Sequence, residues 1–351
     1  MNYKLLGKSG LKVSELALGT MTFGEDWGWG ASKEQSRKMF DTFAEAGGNF
    51  IDTANHYTDG TSEKFVGEFV GSDRHRFVIA TKYSLSGRPG DPNAGGNSRK
   101  GMVQTLEASL RRMNTDYIDL YWVHAWDGMT PLEELMRSLD DQVRLGKILH
   151  IGFSDAPAWV IARANTLAEL KGWTPFTGIQ VQYNLVERTG ERELLPMARA
   201  LGIGVAVWSP LAGGVLTGKY SFKTDEPKRF TLDNPHTSAF VNSRNLKIAQ
   251  IIVNVAQEIH RTPSQVALNW ILQKKDQGTL VPIIAGRNVD QLRDNLQCLV
   301  FELSAEHMKR LDEASAISPG FPHDFLLKGF AQDLIYGKTR PLLEVELGRA
   351  A

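Results

Sequence analysis

A TIM (β/α)8 barrel with an N-terminal β-hairpin plug and long mouth loops is the α/β fold this 351-residue sequence predicts. Three features predict it. Eight short runs, together rich in Ile and Val, are apolar on both faces, as strands packed inside a barrel and covered by helices outside must be. Helical patterns separate consecutive runs, which makes the sheet parallel. The turn after the first run, LGTMTFGEDWGWG, carries no GxGxxG fingerprint, which argues against a doubly wound sheet, the runner-up fold.

The elements follow in order. YKLLGKSGLKV reads as the plug hairpin, with Gly7 and Gly10 bracketing its turn, and LALGT is the first barrel strand. Ser32 is an N-cap three places before Gln35. Met39, Phe40 and Phe43 then recur at helical spacing up to Gly47 and Gly48. Strands NFIDT, RFVIATK, YIDLYWVH, ILHIGFS, GIQVQ, IGVAVWSP and TLVPIIA complete the eight. Helical segments SEKFVGEFV, RKGMVQTLEASLRRM, PLEELMRSLDDQVRLG, PAWVIARANTLAEL and ERELLPMARALG lie between them, with a long helix from about Ser243 to His260 and a final helix VDQLRDNLQ. Three long connections interrupt the alternation: Ser84 to Ser98, Leu211 to Asn242, and a tail from Ile317 to Ala351. Residues 1–351 are expected to form one domain. The tail, with Phe321, Phe325, Phe330 and Tyr336, is expected to pack across the barrel mouth or to make a homo-oligomer contact.

Composition narrows the function. Lys+Arg and Asp+Glu both number 40, and no basic block stands out, so a nucleic-acid partner is not expected. Cys298 is the only cysteine, which rules out an internal disulfide framework and a CxxC metal site and fits a reducing compartment. The charged N-terminus lacks the apolar core of a signal peptide, and no apolar run reaches the roughly 18 residues that span a bilayer. A cytoplasmic protein with no membrane association is expected.

Titratable residues gather where strands end. Asp52, Tyr57, Lys82 and His124 stand at or just past the ends of the second, third and fourth strands, which converge on one mouth in a parallel barrel. Singly, each is an ordinary turn, core or solvated residue. Together they can protonate a carbonyl oxygen while a hydride arrives at carbon. A phenol of pKa about 10 is too weak an acid at neutral pH unless a cation lowers it. Lys82 is expected to be that cation, Asp52 its counter-ion, and His124 a hydrogen-bond donor to the carbonyl. A small-molecule carbonyl compound is the expected substrate.

The chain is similar to the aldo/keto reductase family over nearly its whole length. The resemblance rests on GGNFIDTANHYTDGTSEKFVGEFV, VIATK, LRRMNTDYIDLYWVHAWD, GKILHIGFS, QVQYNLVER, VAVWSPLAGGVLTGKY and RNVDQLRDNL, in that order. It implies a nicotinamide cofactor bound without a Rossmann domain, and Asp52, Tyr57, Lys82 and His124 as the catalytic tetrad, with Tyr57 the acid in reduction. It implies cofactor contacts from Gly19, Thr20 and Met21 after the first strand and from Asp52. Ser154 and Gln180 would face the carboxamide, and Trp208 would stack on the ring. Ser209, Pro210, Leu211, Gly213, Leu216, Gly218 and Lys219 would wrap the pyrophosphate, and Gly286, Arg287, Gln291, Asp294 and Asn295 would hold the adenosine. Arg287, with Arg229, suits a 2′-phosphate, so NADP(H) is expected over NAD(H). The chain departs from the family twice. Asp155 replaces the usual Asn after the carboxamide Ser, and Ala285 stands where Gly often precedes the Arg by two places.

The same sequence also offers other readings. Gly213 to Lys219, GGVLTGK, has Walker A spacing, but Tyr220 follows where an NTPase needs Ser or Thr. His56, His124 and Asp52 lack HxH or HExxH pairing, so no metal is expected. The aromatics Trp27, Trp29, Tyr57, Trp126 and Phe321 are expected to wall a substrate pocket. The competing function is a cofactor-binding sensor or regulatory subunit with little turnover, since potassium-channel β subunits resemble this branch. A chain that opens directly on the hairpin, without a long N-terminal extension, favours the enzyme.

Overall fold

All eight apolar runs close into one barrel. A computed structural model describes residues 1–220 and 240–343. The strands β1 (Tyr3–Leu5) and β2 (Lys12–Ser14) form an antiparallel hairpin. Then β3 (Ala17–Gly19), β4 (Phe50–Asp52), β5 (Val78–Tyr83), β6 (Ile118–Ala125), β7 (Ile148–Asp155), β8 (Phe176–Gln182), β9 (Gly204–Trp208) and β10 (Leu280–Ile284) pair in parallel in chain order, and β10 returns to β3. The helices α1 (Lys33–Glu45), α2 (Thr61–Val70), α3 (Arg99–Met113), α4 (Leu132–Arg144), α5 (Ala158–Lys171), α6 (Leu194–Leu201), α7 (Ser243–Glu258), α8 (Pro263–Gln273), α9 (Val289–Leu296) and α10 (Ala305–Ala314) surround the barrel. The N-cap expected at Ser32 forms: its side chain accepts from the Gln35 N–H at 3.3 Å.

Two apolar layers hold the fold. The inner one fills the barrel with Phe50, Val78, Leu120, Trp122 and Val281, closed below by Leu6 and Val13 of the hairpin. Trp122 fits because β7 and β8 present glycines to it. A Cβ on Gly152 would lie 2.2 Å from the indole and one on Gly178 would lie 2.9 Å from it. The outer layer packs strand residues such as Ile51, Ile79 and Val123 against helix residues such as Phe40, Leu106 and Ile161. The hairpin docks by hydrogen bonds as well: the Lys8 N–H donates to Gly202 O at 2.7 Å and Lys4 Nζ to Leu280 O at 2.9 Å. Leu280 opens β10, so the plug sits at the N-terminal end of the barrel and leaves the other end free.

Four helices were not anticipated: α8, α10, and two short ones in the tail, α11 (His323–Leu326) and α12 (Gly329–Tyr336). For α8 a local signal exists, since Thr262 and Gln265 form a capping box with Pro263 at the first helical position. The long 84–98 connection is tied across its base, with the Gly96 N–H on Ser84 O at 2.8 Å and the Asn97 N–H on Asp127 Oδ2 at 2.8 Å. The described start of the 211–242 connection is a 3-10 turn, Ala212–Thr217. Arg229 lies outside the described residues. Among those residues no helix is long and apolar enough to cross a membrane.

Candidate active site

At the open end of the barrel a buried ammonium organises its neighbours. Lys82 on β5 has no exposed surface. Its Nζ donates to Asp52 Oδ2 at 2.6 Å, to Thr53 O at 2.8 Å and to Tyr57 Oη at 3.1 Å, which engages all three of its hydrogens. Burial alone would push this amine down. Asp52 and Tyr57 outweigh burial, and the Lys82 pKa lies above the ordinary lysine value. The other carboxylate oxygen, Asp52 Oδ1, accepts from Gln180 Nε2 at 2.8 Å.

Tyr57 reaches the group from a bent loop. It opens a 3-10 turn, Tyr57–Gly60, in which Thr58 (φ 44°) and Asp59 (φ 52°) adopt the left-handed region that non-glycine residues avoid. Thr58 Oγ1 fixes the bend by donating to Phe23 O at 2.6 Å and accepting from the Ser62 N–H at 3.1 Å. Contrary to the expectation from sequence, Lys82 does not leave this phenol with a lowered pKa. Burial raises it more than the Lys82 charge lowers it, and Asp52 and Asp155 add to the rise. Tyr57 therefore holds its proton at neutral pH.

His124, near the end of β6, meets Tyr57 edge-on with ring centroids 6.1 Å apart. Its Nδ1 is buried without a partner among the described residues. Burial first, then the charges of Lys82 and His56, lower its pKa to about 3, so the ring is neutral at physiological pH.

These groups open on a cavity of about 1250 Å³. Asp52, Tyr57 and His124 line it. So do Gly19, Met21, Ser154, Asp155, Gln180, Trp208, Ser209, Pro210, Leu211, Gly213, Lys219, Gly286, Arg287, Gln291, Asp294 and Asn295. Thr20, Lys82, Leu216 and Gly218 do not reach its wall. Thr20 is buried beneath it, with Oγ1 donating to Asp52 O at 3.1 Å and bonded to Ser62 Oγ at 2.8 Å. Leu216 is core, and Gly218 (φ 83°) ends the Ala212–Thr217 turn. The wall also contains residues that the sequence motifs missed, among them Thr262, Pro263 and Ser264 at the start of α8 and Asn288, the N-cap of α9. The two capping patterns were the available signal, since helix N-termini favour anions.

Comparison with known proteins gives the family. The Aldo/keto reductase family model matches residues 15–316. The chain is 36% identical to norsolorinic acid reductase of Aspergillus flavus over 92% of its own length and 83% of that protein. It is 37% identical to aryl-alcohol dehydrogenase [NADP(+)] of Phanerodontia chrysosporium over 92% of its own length and 88% of that protein. The chain belongs to the aldo/keto reductase family. Its members use nicotinamide cofactors and act on small-molecule carbonyl substrates.

Within this aldo/keto reductase the departure at Asp155 acquires a partner. Asp155 Oδ1 accepts from Trp208 Nε1 at 3.1 Å, so the carboxylate anchors the indole at the cavity wall. Desolvation raises the Asp155 pKa against the Trp208 hydrogen bond and the Lys82 charge. Asp294 and Asn295 are engaged inside the protein. Asp294 accepts from Thr262 Oγ1 at 2.9 Å and Gln265 Nε2 at 2.6 Å, and Asn295 Nδ2 donates to Ala285 O at 3.1 Å. Gln291 Oε1 accepts from the Arg287 N–H at 2.9 Å.

Of the aromatics, Trp27, Trp29 and Tyr57 line the cavity, the Trp27 ring lying 5.7 Å from both Trp29 and His56. Trp126 instead packs on Phe153 at 6.2 Å, and Phe321 is 86% exposed away from the site. No described residue of the tail lines the cavity. The tail is held where His323 Nε2 meets Glu193 Oε1 at 2.9 Å and Arg192 Nη2 donates to Ser318 O at 2.9 Å.

The buried His124 sets an acid limit on stability. The unfolded chain takes up a proton near the ordinary value of 6.5, while the folded ring resists until about pH 3. Stability contributed by the neutral ring is complete above pH 6.5 and is lost as pH falls toward 3. Urea unfolding of the wild type should show about 1–2 kcal/mol lost to this residue between about pH 7.5 and about pH 5. His124→Gln should lack that part of the loss; equal losses in both proteins would contradict it.

Proposed function

We propose that the protein is an NADP(H)-dependent oxidoreductase that reduces an aldehyde or ketone to an alcohol, with Tyr57 delivering the proton. The observation that carries this reading is the Lys82 Nζ bridge between Asp52 Oδ2 at 2.6 Å and Tyr57 Oη at 3.1 Å, opening on one large cavity.

The cavity's donor set fits a dinucleotide. The Ala212–Thr217 turn brings Gly213 (φ 62°), Gly214 (φ 92°) and Lys219 to the cavity wall, where the two glycines let a pyrophosphate approach the backbone and Lys219 adds positive charge. The starts of α8 and α9 and the Arg287 guanidinium line the same cavity and suit a further phosphate. Ser154, Gln180 and Trp208 would hold the nicotinamide, and Gly286, Arg287 and Asn288 the adenosine end. When bound, the cofactor supplies the hydride to the carbonyl carbon.

The chain's own residues handle the proton. Tyr57 Oη, protonated at neutral pH, donates to the carbonyl oxygen as the C–H bond forms at carbon. The phenolate left behind is stabilised by Lys82 Nζ, already within hydrogen-bond distance. With Nδ1 buried, Nε2 is the nitrogen through which the neutral His124 can donate to the same oxygen. Alcohol oxidation runs these steps backward and needs the phenolate as base. Protonated at neutral pH, Tyr57 is in the form that reduction needs. The aromatic wall of Trp27, Trp29 and His56 supports an aromatic carbonyl substrate, the class that the name aryl-alcohol dehydrogenase gives a relative.

Tyr57→Phe should lower reductase turnover by about 10²–10⁴-fold and leave NADPH affinity nearly unchanged, measured at the nicotinamide absorbance band with a panel of aromatic aldehydes. Comparable turnover in the variant would sink the mechanism. NADPH binding without wild-type turnover on any substrate would favour a sensor. Arg287→Ala should weaken NADPH by at least about tenfold more than NADH in fluorescence titrations, since a charged hydrogen bond to the 2′-phosphate is worth about 1.5–3 kcal/mol. Equal losses would show that Arg287 does not read that phosphate.

A further inference from the structure

Gln180 makes a contact that a cofactor-binding role does not require. Its side chain is 2% exposed, on β8, yet it lines the cavity and also donates from Nε2 to Asp52 Oδ1 at 2.8 Å. Asp52 is equally buried and hands its other oxygen to Lys82 at 2.6 Å. Lys82 in turn donates to Tyr57 Oη at 3.1 Å. An unbroken line of hydrogen bonds thus runs from the wall of the cavity at β8, across the barrel mouth, to the acid. The bond to Asp52 is the one hydrogen bond that the Gln180 amide makes among the described residues. An amide has two N–H donors and a carbonyl acceptor, so a second N–H and Oε1 remain for a ligand.

We propose that Gln180 is a positioning residue that couples the nicotinamide carboxamide site to the Lys82–Tyr57 pair through Asp52. The proposal rests on the reading of the cavity as a nicotinamide site. A carboxamide would bond to the second N–H or to Oε1 of Gln180, beside the Nε2 bond already made to Asp52. With that donor in place the Asp52 carboxylate is shared between Gln180 and Lys82. Without it, Oδ1 is left buried and unsatisfied. The carboxylate then draws Lys82 toward itself, and the ammonium supports the Tyr57 phenolate less well. Backbone anchoring keeps the geometry stiff: Ser154 Oγ donates to Gln180 O at 2.9 Å, tying β7 to β8 beneath the amide.

Gln180→Met retains side-chain length and removes both amide functions, and Gln180→Leu is a second variant should the first fold poorly. The direct readout is the ionisation of Tyr57 in the cofactor-free protein, followed by NMR of ¹³Cζ-labelled tyrosine and assigned with Tyr57→Phe. The midpoint should rise by about one pH unit in the variant, the size expected for losing one hydrogen bond to a charged group. NADP⁺ affinity, read by fluorescence quenching, should fall by about tenfold for the lost carboxamide bond. An unchanged Tyr57 midpoint beside weakened NADP⁺ binding would make Gln180 a cofactor contact only and overturn the coupling. An unchanged midpoint and unchanged binding would leave it a packing residue and overturn it as well. Failure of the wild type to bind NADP⁺ would count against the nicotinamide reading and leave the Tyr57 midpoint as the test of the Gln180–Asp52 link.

Discussion

Lys82 keeps its charge inside the barrel with no exposed surface, and its neighbours are arranged to make that tolerable. An isolated buried ammonium would shed its proton to escape desolvation. Here one carboxylate oxygen, one backbone carbonyl and one phenol take its three hydrogens, and the charge survives. The same arrangement fixes where the phenol lies and what can stabilise its anion. Asp52 is fixed in turn by donors on both oxygens, from β5 and from β8, so strands on opposite sides of the mouth meet at one carboxylate.

The barrel makes this convergence possible. Its parallel strands deliver Asp52, Lys82, His124, Ser154 and Gln180 to one end, while the hairpin closes the other. The interior is packed up to the tetrad: Trp122, register partner of Lys82 and two residues before His124, fills the space that Gly152 and Gly178 leave. A rigid floor of this kind holds polar side chains to the tolerance that proton transfer needs. Tyr57 is the exception, since it comes from a loop rather than a strand. Its left-handed neighbours, Thr58 and Asp59, are held by hydrogen bonds that replace the rigidity a strand would have given.

Much of this was legible in the sequence. Every barrel strand could be read from a short apolar run, most of them carrying Ile or Val, because burial on both faces removes the polar alternation that blurs other strands. The gathering of Asp52, Tyr57, Lys82 and His124 was legible because strand ends in a parallel barrel share one mouth. Helix α8 escaped notice although its Thr-Pro-Ser-Gln start is a capping pattern, since it follows α7 without an intervening strand. The link from Gln180 to Asp52 could not be read, because it joins residues 128 positions apart and depends on barrel closure. The partner of Asp155 was hidden for the same reason. The Tyr57 shift came out opposite to expectation because composition names the cation but not the depth of burial, and burial is the larger effect. Thr20 and Leu216 belong to motifs that border the cavity, yet their side chains point into the protein.

Lys82 thus both orders the site and supplies the charge that would meet a Tyr57 phenolate. Turnover of Lys82→Met with saturating NADPH and an aromatic aldehyde tests that claim most directly. It should fall by about 10²–10⁴-fold, as for loss of the acid itself, while the folded variant still binds NADPH. Turnover within about threefold of the wild type would show that Tyr57 needs no buried cation and that Lys82 serves structure alone.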